Sequence, residues 1–229
     1  MSDTSEKNSE KKAFSVTTCM LTSGICLLPV ALGFVLWDKL PEQIPQQYGW
    51  NGQVNWTLPK PIGFILCPVI LVLANAVLLT APLLAKKRLN RKIELLLCWL
   101  IPVISLIVNS LLLLKAAGMD IDIVSAVIAL LSLMFIVIGN YLPKTEPNSV
   151  VGIRAPWISN NPDVWAKTNR LGGILFVAAG IACFISCFTP AGKYVFIISL
   201  SLVAIVSFVY SIVLAVHSRK AAQEDSATV

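Results

Sequence analysis

Charge is scarce in this 229-residue chain. Only 13% of its residues are Asp, Glu, Lys or Arg, against roughly 25% in an average soluble domain. That is too little to clothe a water-facing surface, and it also excludes a disordered chain or a coiled coil, both of which depend on charge. Histidine is nearly absent: His217 stands alone, which leaves a metal centre or a catalytic triad little to build on. No HExxH helix, GxSxG elbow or phosphate-cradling glycine loop is present. No catalytic residue, metal ligand or cofactor is therefore assigned. The apolar runs also lack the paired acids, lysines or histidines on which proton-coupled transport relies. The loops carry no cysteine: Cys19, Cys26, Cys67, Cys98, Cys183 and Cys187 all fall within apolar runs, so there is no disulfide framework to read. Cys183 and Cys187, four apart, read as small residues on a helix–helix contact continuing Ala179. No small-x-small cleavage site follows Trp37, and the first run is too long for a cleaved signal.

What is present is apolar: 56% of the residues are hydrophobic. A helix crossing about 30 Å of hydrocarbon needs about 20 such residues. Six runs suffice: Phe14–Trp37, Pro61–Ala85, Ile93–Leu114, Ile121–Leu142, Leu171–Phe188 and Tyr194–Val216. The fifth is short, and Pro162 after the capping candidates Asn160 and Asn161 places its helix start earlier. Of the 18 Lys and Arg residues, 14 fall in alternate gaps that include both tails, and 4 fall on the other side. By the positive-inside rule both termini are cytoplasmic. The net charge of +6 then lies wholly on the inner side, so the basic balance reflects topology, and direct nucleic-acid binding is not expected.

The expected fold is all-α: a polytopic membrane protein of six transmembrane helices, with a small extracellular hairpin between helices one and two. The organisation reads as a disordered inner tail (1–13), helices one to three with an ordered outer loop at 38–60 (14–115), helices four to six with an inner loop at 143–170 (116–217), and a second inner tail (218–229). Pro29, Pro68, Pro82 and Pro102 lie inside helices and mark kinks. Asn75 and Asn109 sit at different depths, so a direct bond between them requires a tilt or a water; interhelical bonding and a functional role stay open for both. Glu94 suits the first turn of helix three.

Two loops carry more than connection. In the outer one, Asn51-Gly52 is a strong hairpin signal, since a two-residue turn there takes positive φ at both positions. Tyr48 and Trp50 precede it, Val54 and Trp56 follow, and the two tryptophans suit either a surface cap or interfacial anchoring. The inner loop spans 28 residues, a length that is usually functional when ordered. Its second half suits an amphipathic helix with Val164, Trp165, Thr168 and Leu171 on one side. Its first half, with Gly152, Pro143, Pro147 and Pro156, is a shaped loop.

At these loops the chain resembles a known family. The stretch G-N-Y-L-P-K-T-E-P-N-S-V-V-G-I-R-A-P-W from Gly139 to Trp157, followed by Val164, Trp165, Thr168, Arg170 and Gly172, is similar to the signature of SdpI-type immunity proteins. The outer-loop text from Leu40 to Gly52 is similar to a second element of that family. Position 169 is Asn, where the resemblance leads one to expect His. The resemblance implies a six-helix, non-catalytic protein of the bacterial cytoplasmic membrane that protects against a sporulation-delaying peptide toxin. It further implies signal transduction, with a winged-helix repressor held at the inner face. Membrane lipid, a peptide toxin and that repressor are the implied partners. Candidate ligand contacts outside are Pro41, Ile44, Pro45, Tyr48, Gly49, Trp50, Gly52 and Trp56. The candidate partner loop inside comprises Gly139, Asn140, Pro143, Lys144, Pro147, Asn148, Gly152, Arg154, Pro156, Trp157, Trp165, Thr168 and Arg170. Arg154 stands out because a guanidinium fork binds carboxylates bidentately and Lys does not. The competing reading is a small transporter or lipid-handling protein of the same fold; a membrane enzyme ranks below both, for want of a nucleophile–base pair.

Overall fold

The computed structural model describes residues 16–84, 91–147 and 151–227. The expected N-terminal tail and Asn148 lie outside them. Among the described residues six helical stretches are long and apolar enough to cross a membrane: Thr17–Val35, Lys60–Thr80, Arg91–Ala116, Ile123–Lys144, Pro162–Ser186 and Gly192–Lys220. One two-stranded antiparallel sheet lies between the first and second. The molecule is thus an all-α polytopic membrane protein with one small hairpin. Each span reverses the chain direction, so the hairpin and the turns after spans three and five share one end. The 143–161 segment lies at the other.

The first three spans are interrupted helices. Span one is α1 (Val16–Cys26) followed by α2 (Leu28–Val35). Pro29 has no N–H to give the carbonyl four residues back. The chain there tightens instead, with Leu27 N donating to Gly24 O at 3.1 Å and Val30 N to Leu27 O at 2.9 Å. After the hairpin strands β1 (Gln43–Tyr48) and β2 (Val54–Pro59), span two is α3 (Lys60–Gly63) and α4 (Leu66–Leu84). Span three is α5 (Arg91–Ile104), a widened π-helical turn over Ser105–Asn109, and α6 (Ser110–Ala116). Pro102 lies just before the widened turn, an arrangement that bends a helix without leaving its carbonyls bare.

Polar side chains tie these pieces together. Asn75, fully buried, donates through Nδ2 to Thr22 Oγ1 at 3.2 Å. Ser105 Oγ donates to the carbonyl of Cys26 at 2.8 Å, beside the break in span one. Asn109 Nδ2 donates to Ser105 O at 3.0 Å. Asn75 and Asn109 therefore serve separate contacts, as their difference in depth requires, and Asn75 bonds between helices.

The last three spans are continuous: α7 (Ile123–Tyr141), then, after a one-turn helix α8 (Pro156–Ser159), α9 (Pro162–Ser186) and α10 (Gly192–Ala227). Asp122 caps α7 and Asn161 caps α9, which begins at Pro162 as its sequence indicates. α7 and α9 meet backbone to backbone. A Cβ on Gly173 would lie 2.6 Å from Gly139 O, one on Gly139 2.7 Å from Gly173 O, and one on Gly180 2.7 Å from Ser132 O. Small residues bring helices this close where lipid offers no hydrophobic drive to association. Cys183 and Cys187 are buried in a cluster with Ile128 and Phe196, a packing role.

Candidate functional site

At the hairpin end, β1 and β2 pair antiparallel with Ile44 opposite Leu58 and Tyr48 opposite Val54. Gly49 N donates to Gln53 O at 2.8 Å, and Gly52 N to Gly49 O at 2.9 Å. Gly52 has φ +75°, and Gln53 N donates to Asn51 Oδ1 at 3.1 Å. This is a three-residue loop ending in a left-handed glycine, one residue longer than the Asn-Gly turn the sequence suggested. The Asn51 side chain closes the loop, which is why the longer turn is stable.

The hairpin leans on the helix ends. Ile44 is 1% exposed and packs with Leu40, Phe64 and Leu113. Gln46 Nε2 donates to Gly63 O at 2.8 Å. Lys60 sits 3.9 Å from Glu42 and over the Trp37 ring. Lys115 sits over the Tyr48 ring, and burial pushes the Tyr48 phenol above its ordinary value. Of the residues expected to meet a ligand, Pro41, Trp50, Gly52 and Trp56 are exposed, Pro45, Tyr48 and Gly49 are half-buried, and Ile44 is an anchor facing the helices.

Trp50 reaches the second half of the molecule, its ring 6.3 Å from Phe196, which stacks on Phe135 at 5.7 Å. Beside this contact, between the hairpin tip and the start of α7, opens a cleft of about 290 Å³, lined by Trp50, Asn51 and Gly52 and by Asp122, Ser125 and Lys193. The Ser125 hydroxyl, donating at 2.6 Å, holds the Asp122 carboxyl below the usual carboxylate range against the opposing cost of burial, helped by the N–H groups of Ser125 and Val124 and by Lys115. The sequence reading missed this second wall. Its one legible signal was Asp122 three residues before Ser125 at a helix start, a capping pattern.

At the opposite end the described residues of the 143–170 segment, 143–147 and 151–170, form a folded plug. The Trp165 side chain, 1% exposed, donates through Nε1 to Thr145 O at 2.9 Å. Gly152, with φ +146°, lies against that ring, where a Cβ would come within 2.6 Å. Asn169 Oδ1 accepts from Ile153 N at 2.8 Å while its Nδ2 donates to Trp165 O at 3.1 Å. Asn169 therefore pins the loop to α9 with a neutral amide, a role the sequence did not assign it. Trp157 Nε1 donates to Ser211 Oγ at 3.1 Å and its ring meets Phe208. Asn161 Nδ2 donates to Ser218 Oγ at 2.6 Å, so the segment is also fastened along α10. Val151 packs against Leu79, Ile93, Leu97 and Cys98, reaching the first half.

The signature residues thus divide. Gly139, Trp165 and Thr168 are buried, and Pro147, Gly152 and Trp157 are half-buried; Pro143, though exposed, supports Gly173. Asn140, Lys144, Arg154, Pro156 and Arg170 are exposed. Lys144 lies over the Tyr141 ring. Among the described residues, no hydrogen bond or ion pair ties the Arg154 side chain to the plug.

Residues 144–211 match the model of the SdpI/YfhL protein family, and residues 24–72 match a domain of unknown function, DUF1648. The first match covers the plug, span five and most of span six; the second covers the later part of span one, the hairpin and the first part of span two. The immunity protein SdpI of Bacillus subtilis (strain 168) is 30% identical over 189 residues, covering 78% of this chain and 87% of that protein. No solved structure matches. At 30% identity over 78% of its length, with a family model matching the plug and most of the last two spans, the chain belongs to the SdpI/YfhL family of membrane proteins.

Proposed function

We propose that this protein confers immunity on the cell that makes it, by binding a peptide toxin of the sporulation-delaying type at the hairpin end. The observation that carries this reading is the 30% identity to a named immunity protein across 78% of the chain. The charge split supports a topology with both termini in the cytoplasm and the hairpin end outside, where a secreted peptide arrives. The exposed tryptophans supply an apolar surface for it, and the cleft beneath Trp50 a shaped one of mixed polarity. At the inner face the plug offers Asn140, Arg154 and Arg170 to a partner, and a winged-helix repressor is the partner we assign. In this reading the protein is not an enzyme, and the chain works as two halves, residues 14–115 and 116–217, each capped at one end by a folded loop.

Expression in a toxin-sensitive cell tests the reading. Survival rises when the peptide is added; membrane-inserted protein that gives no protection makes the transporter reading the better one. Reporter fusions at Asn51 and Asn148 are expected to report outside and inside respectively, and a common side ends the topology.

A further inference from the structure

A second cavity, also of about 290 Å³, opens at the plug end, between α8, the start of α9 and residues 215–219 of α10. Trp157 and Ala215 supply apolar walls; Asn160, Ser218 and Arg219 supply polar ones. Among the described residues the lining thus carries a cation and no carboxylate. Asn161 is already engaged, its Oδ1 accepting from the N–H groups of Asp163 and Val164 and its Nδ2 donating to Ser218 Oγ. Arg219 is exposed, and no ion pair among the described residues holds it. A guanidinium presents five N–H donors in a fork that fits phosphate oxygens two at a time. The cavity also has a defined depth. Arg219 stands one residue before the end of the sixth apolar stretch at Lys220, and Pro162 opens the fifth, so both walls end where hydrocarbon gives way to headgroups. Deeper in, the stripe of α10 that carries Arg219 and Ala215 continues through Ser211 and Phe208, one helix face by spacing. Trp157 lies across that stripe, with Nε1 donating to Ser211 Oγ at 3.1 Å and its ring 5.7 Å from that of Phe208. Phe208 is 52% exposed and, at about 1.5 Å per residue, lies about 10 Å deeper than Ala215.

We propose that this cavity holds the headgroup of one anionic phospholipid, with its phosphate on Arg219 and Asn160 and an acyl chain along Trp157 and Phe208. Basic pockets between helices at the membrane surface recognise such headgroups. A free phosphate would use the guanidinium and leave the aromatic strip unmatched; a lipid meets both, and the depth of the site puts its two parts at the levels where a lipid carries them. This is a single site of stated charge, distinct from the general coating of the spans by lipid, and it stands independently of the toxin reading. One molecule bound there joins α8 and the start of α9 to α10, the elements that Trp157 and Asn161 already tie together.

The test uses the full-length protein in mild detergent, titrated with phosphatidylglycerol or with phosphatidylcholine, whose choline cancels the phosphate charge. Native mass spectrometry counts the lipid retained. One phosphatidylglycerol is expected to be held about tenfold more tightly than phosphatidylcholine. Arg219→Ala is expected to weaken it about tenfold. Arg219→Lys, which keeps the charge and loses the fork, is expected to weaken it about threefold. Lys220→Ala removes the same charge from the next residue, which does not line the cavity, and is expected to leave retention unchanged. Equal losses in Arg219→Ala and Lys220→Ala mean that surface charge alone attracts lipid, and overturn the site. Equal retention of the two lipids by the wild type overturns it as well. Displacement of phosphatidylglycerol by an equal concentration of inorganic phosphate overturns the lipid as occupant. Should Arg219→Ala fail to insert, Arg219→Lys against Lys220→Ala decides, and equal retention by those two overturns the proposal.

Discussion

Spans one to three and spans four to six are held together by different means. In the first half, three interrupted helices are joined by side chains reaching across: Asn75 to Thr22, Ser105 to the Cys26 carbonyl. In the second half, unbroken helices press backbone on backbone through Gly139, Gly173 and Gly180. Side-chain bonds tolerate small shifts; a glycine seam has one distance at which it fits. The half that carries the hairpin is therefore the more deformable one, and the half that carries the plug is the fixed frame. The two meet at Trp50 against Phe196 at one end and at Val151 against the Leu79, Ile93, Leu97 and Cys98 cluster at the other, among other contacts.

Mutations can break this contrast. The largest loss is expected for Gly173→Ala, whose Cβ would lie 2.6 Å from Gly139 O and 2.8 Å from the Pro143 ring: about 3 kcal/mol, seen as a lower melting temperature in detergent. Asn169→Leu comes next. It leaves the Ile153 N–H without its acceptor and costs about 2 kcal/mol, with faster proteolysis in the 143–161 segment. In the deformable half Asn75→Leu costs less, about 1 kcal/mol, because Asn75 Oδ1 already lacks a partner and only one bond is lost. A loss as large as that of Gly173→Ala would erase the distinction between the halves.

Asp122 gives a smaller, pH-dependent effect. Its native pKa is lowered, chiefly by Ser125, so its contribution to stability is complete above the unfolded carboxylate value of about 3.9. It is lost as pH falls through the lowered native value. The difference in melting temperature between wild type and Asp122→Asn is therefore constant at neutral pH and closes on acidification below about pH 4; a difference that widens there contradicts the cap. Arg154→Lys is expected to change stability by less than about 0.5 kcal/mol, since Arg154 is exposed and outside the plug's bonding. If Arg154 meets a partner through its fork, repressor recruitment falls while stability holds. If recruitment is also unchanged, the plug serves only as a membrane-surface element.

Much of the fold was legible because lipid imposes simple rules: length and apolarity mark a span, Pro29 and Pro102 mark interruptions though Pro82 lies within the unbroken α4, and Asn161-Pro162 marks a helix start. The hairpin was legible from Asn51-Gly52, though its length was not, because the deciding interaction is Asn51 Oδ1 accepting from Gln53 N, a side-chain choice that local spacing does not fix. The plug was recognisable as a motif, yet its roles were not separable. Trp165 and Arg154 look equally prominent in the text, and only packing shows one buried and the other free to reach a partner. Asn169 was noted only for standing where His was expected, because an amide declares no role until two backbone groups are found on it. The second wall of the cleft was out of reach, since Asp122, Ser125 and Lys193 join Trp50 only through the pairing of distant spans.

The central claim, that the hairpin end faces the toxin and confers protection, is tested most directly with Gly52→Val. The substitution places a β-branched residue at φ +75°, which disrupts the tip while leaving the helices and the plug intact. Survival under added peptide is measured at matched membrane levels of wild type and variant. The account predicts protection by the wild type and its loss in Gly52→Val; equal protection by both would contradict it.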